Sequence, residues 1–189
     1  MSTWIALFRG VNVSGHKPLP MKALAARLEA DCGFAQVRTY IQSGNVVFGS
    51  RLRTAASVAT RLGDVVERGF GFRPAIIVLT QAQLERAARR NPWCAEADAQ
   101  PKSVHLWFLE RALVPRSVDL ASLRSLAEPG EGIELDGAVL YHHAPGGFGV
   151  SKIADRVPRV LGVAVTARNW NTVAALRALA GGDGREGRR

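Results

Sequence analysis

This chain of 189 residues has only two cysteines and no long apolar run, and its 16 acidic residues are outnumbered by 25 basic ones. Its two cysteines, Cys32 and Cys94, form no CxxC pair and no zinc-ligand pattern, so two reduced thiols in a cytosolic protein are expected. The longest apolar run, around Ala75–Leu79, is far too short to cross a membrane. Met1–Trp4 leads straight into a strand, without the basic region, apolar segment and small-residue cleavage site of a secretory signal. A cytoplasmic location follows as the expectation. The four histidines, His16, His105, His142 and His143, assemble no triad or metal set, since the adjacent pair on a strand points to opposite faces. Asp and Glu are sparse in the motifs, which leaves a two-carboxylate mechanism little support. Neither a metal nor another cofactor is expected.

What is present is cationic and unevenly spread. The net charge is +9. Residues 1–90 hold 13 Lys and Arg against 5 Asp and Glu, and residues 91–189 hold 12 against 11. The first half therefore carries the field that would attract polyanions or small anionic ligands. Arginine outnumbers lysine 21 to 4, so a solvated surface shaped by base composition explains the same excess.

Hydrophobic periodicity spells one phrase twice: strand, helix, two strands, helix, strand. Trp4–Phe8 is a short apolar strand. Pro20 is placed at a first helical position, Met21, Leu24, Ala25, Leu28 and Cys32 follow at helical spacing, and Gly33 ends the helix. Val37–Ile41 and Val46–Phe48 read as a hairpin around Gln42-Ser43-Gly44-Asn45, then comes an amphipathic helix with Val58, Leu62, Val65 and Val66, and the strand Ala75–Leu79. Thr80 and Gln83 form a capping box for a connecting helix that Asn91-Pro92 stops. The second copy runs from Val104–Leu109 through a helix capped by Ser117, a type I′ hairpin at Asp136-Gly137, a helix from Ser151 that Pro158 should kink or split, and a strand Val163–Val165. The fold class expected is α+β, two ferredoxin-like halves packed into one compact protein. The halves are 1–80 and 101–180, joined by a helix and loop over 81–100, with a disordered tail over 181–189.

Three segments could carry chemistry. RGVNVSGHK, from Arg9 to Lys17, joins the first strand and first helix, with two glycines for close backbone approach and with Arg9, His16 and Lys17 for charge. It is neither a Walker loop nor a dinucleotide fingerprint. Gly146-Gly147-Phe148-Gly149-Val150-Ser151-Lys152 is again a glycine-rich loop before a helix start; Ser151 could cap the helix or face a phosphate, but Ser151-Lys152 reverses the P-loop order. Arg168-Asn169-Trp170-Asn171-Thr172 offers Asn169 or Asn171 as a cap and Trp170 as a core anchor. Each segment has an ordinary reading as a capped helix start beside a loop.

The strings RGVNVSGHKPLPM, VRTYIQSGNVVF and SKIADRVPRVLGVAVTARNWNTVAAL resemble the hallmark segments of domain-of-unknown-function family 1697, mostly bacterial cytosolic proteins. The resemblance runs from Trp4 to about Leu179. It implies a duplicated α+β fold and no established activity. Its characteristic polar positions fall on Arg9, Gly10, Asn12, Val13, Gly15, Tyr40, Gln42, Ser43, Gly44, Asn45, Ser151, Lys152, Arg168, Asn169, Asn171 and Thr172.

With the first and third strands read as parallel, the Ser43-Gly44-Asn45 turn is expected at the far end of the sheet from Arg9–Lys17, about 17 Å along a five-residue strand. The site expected is at the junction of the halves, for a small anionic, phosphate- or nucleotide-like ligand. Its residues are Arg9, Asn12, Lys17, Ser43, Asn45, Ser151, Lys152, Arg168, Asn169 and Asn171. RNA binding by the basic first half is the alternative, although Val46–Ser50 lacks the aromatic RNP1 pattern. An oligomeric interaction protein without a ligand is the third reading. No membrane partner is expected, and the sequence fixes neither oligomeric state nor reaction.

Overall fold

A computed structural model of the chain describes residues 1–13 and 18–181. The expectations at Gly15, His16 and Lys17, and over 182–189, lie outside the described residues. The fold is mixed α+β, with two four-stranded antiparallel sheets and seven α-helices among the described residues. The chain splits into two units, Met1–Arg86 with the stretch from Ala174 on, and Ala87–Val173.

The first unit contains β1 (Ser2–Phe8), α1 (Met21–Cys32), β2 (Ala35–Tyr40), β3 (Asn45–Ser50), α2 (Ala55–Phe70), β4 (Ile76–Thr80) and the start of α3 (Gln81–Arg89). Helix α1 begins after Pro20, which occupies the cap position just outside it. It ends in an αL motif. Gly33 takes φ +63, its N–H donates to the Glu29 carbonyl, and the Phe34 N–H reaches back to the Leu28 carbonyl. Helix α2 is capped by Thr54, whose hydroxyl accepts the Ser57 N–H at 3.1 Å. The capping box at Thr80 and Gln83 forms as expected, with reciprocal bonds of 2.8 and 3.2 Å.

Strands order as β2-β3-β1-β4, each neighbour antiparallel. Trp4, Ala6 and Phe8 face one side and pack with Val46, Phe48 and Val78 beneath Leu24 and Leu28 of α1 and Val58, Leu62 and Val66 of α2. Ile5 and Leu7 face the other side and are equally buried. Arg38, on that second face, donates to the carbonyl of Leu179 at 3.3 Å, so the end of α7 (Trp170–Gly181) lies over it. The antiparallel pairing of β1 with β3 corrects the sequence expectation that these strands run parallel. In this strand order the parallel partners are separated by one strand, so adjacency and parallel direction exclude each other. The turn at 42–45 thus falls at the same end as the loop after β1.

The second unit contains α4 (Cys94–Ala99), β5 (Val104–Leu109), α5 (Leu120–Arg124), β6 (Gly132–Asp136), β7 (Val139–His143), α6 (Lys152–Leu161), β8 (Val165–Asn169) and the start of α7. Its strand order, β6-β7-β5-β8, repeats that of the first unit. Trp107, Leu109, Leu135 and Leu140 pack against Leu123 of α5 and Ile153 and Val157 of α6. On the opposite face the buried Tyr141 hydroxyl donates to the Ala87 carbonyl at 2.9 Å, which sets the end of α3 against this sheet.

Four local expectations shift. Asp119, not Ser117, caps α5, because its carboxylate sits three residues before the Ser122 N–H it accepts at 3.0 Å. The hairpin loop is Gly137-Ala138, since Asp136 pairs with Val139; only Gly137 has positive φ, the pattern of a II′ turn. Helix α6 runs unbroken through Pro158. The last strand starts at Val165 and extends to Asn169, so Arg168 and Asn169 belong to a strand rather than to a loop.

Candidate functional site

At the end of β1 the Phe8 N–H donates to the Gly44 carbonyl at 2.8 Å, which brings the loop after β1 and the β2–β3 turn together. Asn12 locks them. Its side-chain amide donates to the carbonyls of Gln42 at 2.6 Å and Leu19 at 2.9 Å. Its Oδ1 accepts the Leu19 N–H at 2.7 Å. The approach is so close that a Cβ on Gly44 would stand 2.6 Å from Val11 Cγ2 and 2.7 Å from Phe8 Cβ, and Gly44 also holds φ +77. Asn45 is fully buried, and its amide donates to the Tyr40 carbonyl and the Ser43 hydroxyl. Asn12 and Ile41 both adopt positive φ, a costly conformation for the β-branched Ile41. The structure therefore gathers Asn12, Ser43 and Asn45, and uses their polar atoms to shape the backbone. Arg9 is exposed beside them.

In the second unit the sequence-derived residues divide by environment. Ser151 caps α6, accepting the Ala154 N–H at 3.0 Å. Lys152 is exposed and pairs with Glu128 at 2.8 Å. Arg168 is buried and donates to the Thr166 hydroxyl at 2.7 Å and the Ala167 carbonyl at 2.8 Å. Burial pushes its pKa down to about 10. Asn169 caps α7, accepting both the N–H and the hydroxyl of Thr172 at 3.0 Å. Asn171 is exposed.

A polar cluster that sequence reasoning missed lies on the helix side of this sheet. Glu131 Oε1 accepts from the Ser151 hydroxyl and from His142 Nε2, the latter at 2.8 Å. Its Oε2 accepts the Glu128 N–H at 3.0 Å. His105 lies directly opposite His142 across the β5–β7 ladder and stacks on Phe148 with ring centroids 3.8 Å apart. Burial pushes His105 down to about 4, with the neighbouring His142 adding to the effect. Burial also lowers His142, against the opposing pull of Glu131. Burial alone would raise Glu131, yet hydrogen bonds from Ser151, the Glu128 N–H and His142 together hold it below the usual carboxylate range.

This is a Ser, His and Glu in contact, but not a relay. A nucleophile relay places the imidazole between hydroxyl and carboxylate, one through each ring nitrogen. Here both partners address Nε2, while the Nδ1 atoms of His142 and His105 are buried with no partner among the described residues. Ser151 is itself 5% exposed, closed to a substrate. The cluster is a buried hydrogen-bond network. The signal for it in the sequence is a histidine at an inward position of each apolar strand, His105 in register with Trp107 and His142 with Leu140.

A cavity of ≈ 390 Å³ opens nearby in the same unit, lined among others by Pro101, Lys102, Ser103, Pro145, Gly147 and Asn171. Backbone bonds fix its walls: Trp170 N–H to Pro101 carbonyl at 3.1 Å, Ala144 N–H to Ser103 carbonyl at 2.7 Å, and Gly147 N–H to Ala144 carbonyl at 3.0 Å. Two of the three motif segments, the glycine-rich loop and the α7 start, thus meet at one concavity with a lysine. Its volume falls at the lower end of small-molecule sites.

The sequence profile of the family described as "Protein of unknown function (DUF1697)" matches residues 1–141. No curated protein matches the chain. Among solved structures it is similar to a conserved bacterial protein of Streptococcus pneumoniae, with a TM-score of 0.72 at 20% identity over 95% of this chain and 98% of that one. At that identity the likeness bears on the fold alone.

Proposed function

Since the chain belongs to the DUF1697 family, whose description names no activity, we propose from its geometry that it binds a small anionic, phosphate- or nucleotide-like ligand in the cavity of the second unit. The observation that carries this is the convergence there of Lys102, Asn171 and the backbone at Gly147. Lys102 supplies charge, the Asn171 amide both donates and accepts, and the glycine lets an anion approach the backbone closely. Ser151 and Asn169 act behind this surface by capping the helix starts, and Arg168 is buried within β8, bonded to Thr166. The same reading takes the scaffold as a duplicated ferredoxin-like arrangement, supported by the repeated strand order.

The RNA reading has less behind it. Val47 and Phe48 on β3 are buried, and so are Ala6 and Leu7 on β1, which leaves those strands no open aromatic platform for bases. The test is calorimetric titration with inorganic phosphate, pyrophosphate, ADP and ribose 5-phosphate. At least one should bind saturably, and Lys102→Glu should weaken it by about tenfold or more. The reading falls if none binds, or if Lys102→Glu changes nothing.

A further inference from the structure

A second concavity, independent of the first, lies wholly in the first unit. It is a cleft of ≈ 930 Å³ between the end of α1, the end of β3 and the first turns of α2. One wall is apolar: Phe34, Leu52 and Ala56, with the half-buried Cys32 thiol, which burial raises above its ordinary pKa and so keeps uncharged. Phe34 is rigid there because it stacks on Phe48, ring centroids 4.5 Å apart and planes within 10°. The same lining carries Arg51 and Arg61.

The charge balance of this lining is positive. Its one carboxylate, Asp64, is already engaged by Arg73 at 2.7 Å. The nearby Asp31 carboxylate pairs with Arg27 at 3.7 Å, and its backbone carbonyl, not its carboxylate, accepts from Arg61 Nη2. That bond fixes the Arg61 guanidinium without neutralising it. The first turn of α2 is not the source of attraction, since Thr54 already accepts the Ser57 N–H. A fixed cation and a second arginine therefore stand beside an apolar wall in a cleft of the size that takes drug-sized ligands.

We propose that this cleft binds an amphipathic anion, with a carboxylate or phosphate head at Arg51 and Arg61 and an apolar body along Phe34, Leu52 and Ala56. Charge alone would not choose such a ligand, and neither would the apolar wall alone; their combination does. The site differs in place and in ligand class from the polar cavity of the second unit.

The experiment titrates the full chain with decanoate, decyl phosphate and decanol, each below its aggregation concentration, by calorimetry. At least one anion should bind saturably, with decanol about tenfold weaker or more. Arg51→Ala with Arg61→Ala should weaken the anion by about tenfold while leaving decanol unchanged, and Ala56→Trp should remove both. If the double variant does not fold, the exposed Arg51→Glu alone carries the test. Lys102→Glu, in the other cavity, should leave decanoate untouched. The preferred anion identifies the head group. The proposal is overturned if neither anion saturates, if decanol binds as well as the anions, or if the arginine variants bind as the parent does.

Discussion

The two units thread their strands in the same order, yet they treat buried polarity differently. In the first, the core beneath α1 and α2 is built from apolar side chains, and polar side chains at the strand ends are spent on backbone, as at Asn12, Asn45 and Ser50. In the second, the corresponding helix-side face admits two cross-strand imidazoles, a carboxylate and a hydroxyl, closed over by Phe148. One topology therefore supports either an apolar core or a buried polar network. What decides is whether a helix cap and a turn carboxylate arrive to complete the bonds, as Ser151 and Glu131 do.

The contrast can be broken at several points. Phe48→Ala, in the apolar core of the first unit, should cost about 4 kcal/mol in urea denaturation, because the removed ring leaves a cavity against Phe34. Glu131→Ala should cost about 3 kcal/mol in the same assay, by stranding His142 and Ser151. Asn12→Ala should cost about 2 kcal/mol, since three backbone groups lose one partner. Lys152→Ala should leave the melting temperature unchanged, as its ion pair with Glu128 is solvent-exposed on both sides.

Acid should separate the units further. His105 and His142 have folded pKa values below their unfolded value of 6.5. Their contribution is therefore complete above pH 6.5 and is lost as pH falls, for His105 down to about 4. Glu131, also depressed, adds a loss below the ordinary carboxylate value of 4.5. Hydrogen exchange corrected for intrinsic rates should show β5 and β7 amides losing protection between pH 7 and 5 while β1 and β3 amides keep theirs. His105→Phe should flatten that difference; equal loss in both units would contradict the contrast.

Much of the fold was legible because it rests on periodicity. The apolar runs Trp4–Phe8 and Val104–Leu109, the capping box at Thr80 and Gln83 and the stop at Gly33 are local signals, and local hydrogen bonds honour them. Strand direction was not local. Whether β1 and β3 run together or opposed depends on which strand lies between their parallel partners, and reading it wrongly placed the 42–45 turn at the wrong end. The site was half legible for a similar reason. Motif residues such as Asn171 could be named, but Lys102 carries no motif, and Glu131 gains its side-chain partners from residues 11 and 20 positions on.

Where an anion binds is the most direct question to put to the molecule. Pyrophosphate added to isotopically labelled protein should shift the backbone amide signals around 102–103, 144–147 and 171–172 saturably, leaving those of the first-unit strands in place. Signals that do not move, or that move diffusely over the arginine-rich surface of residues 1–90, would contradict the proposed site.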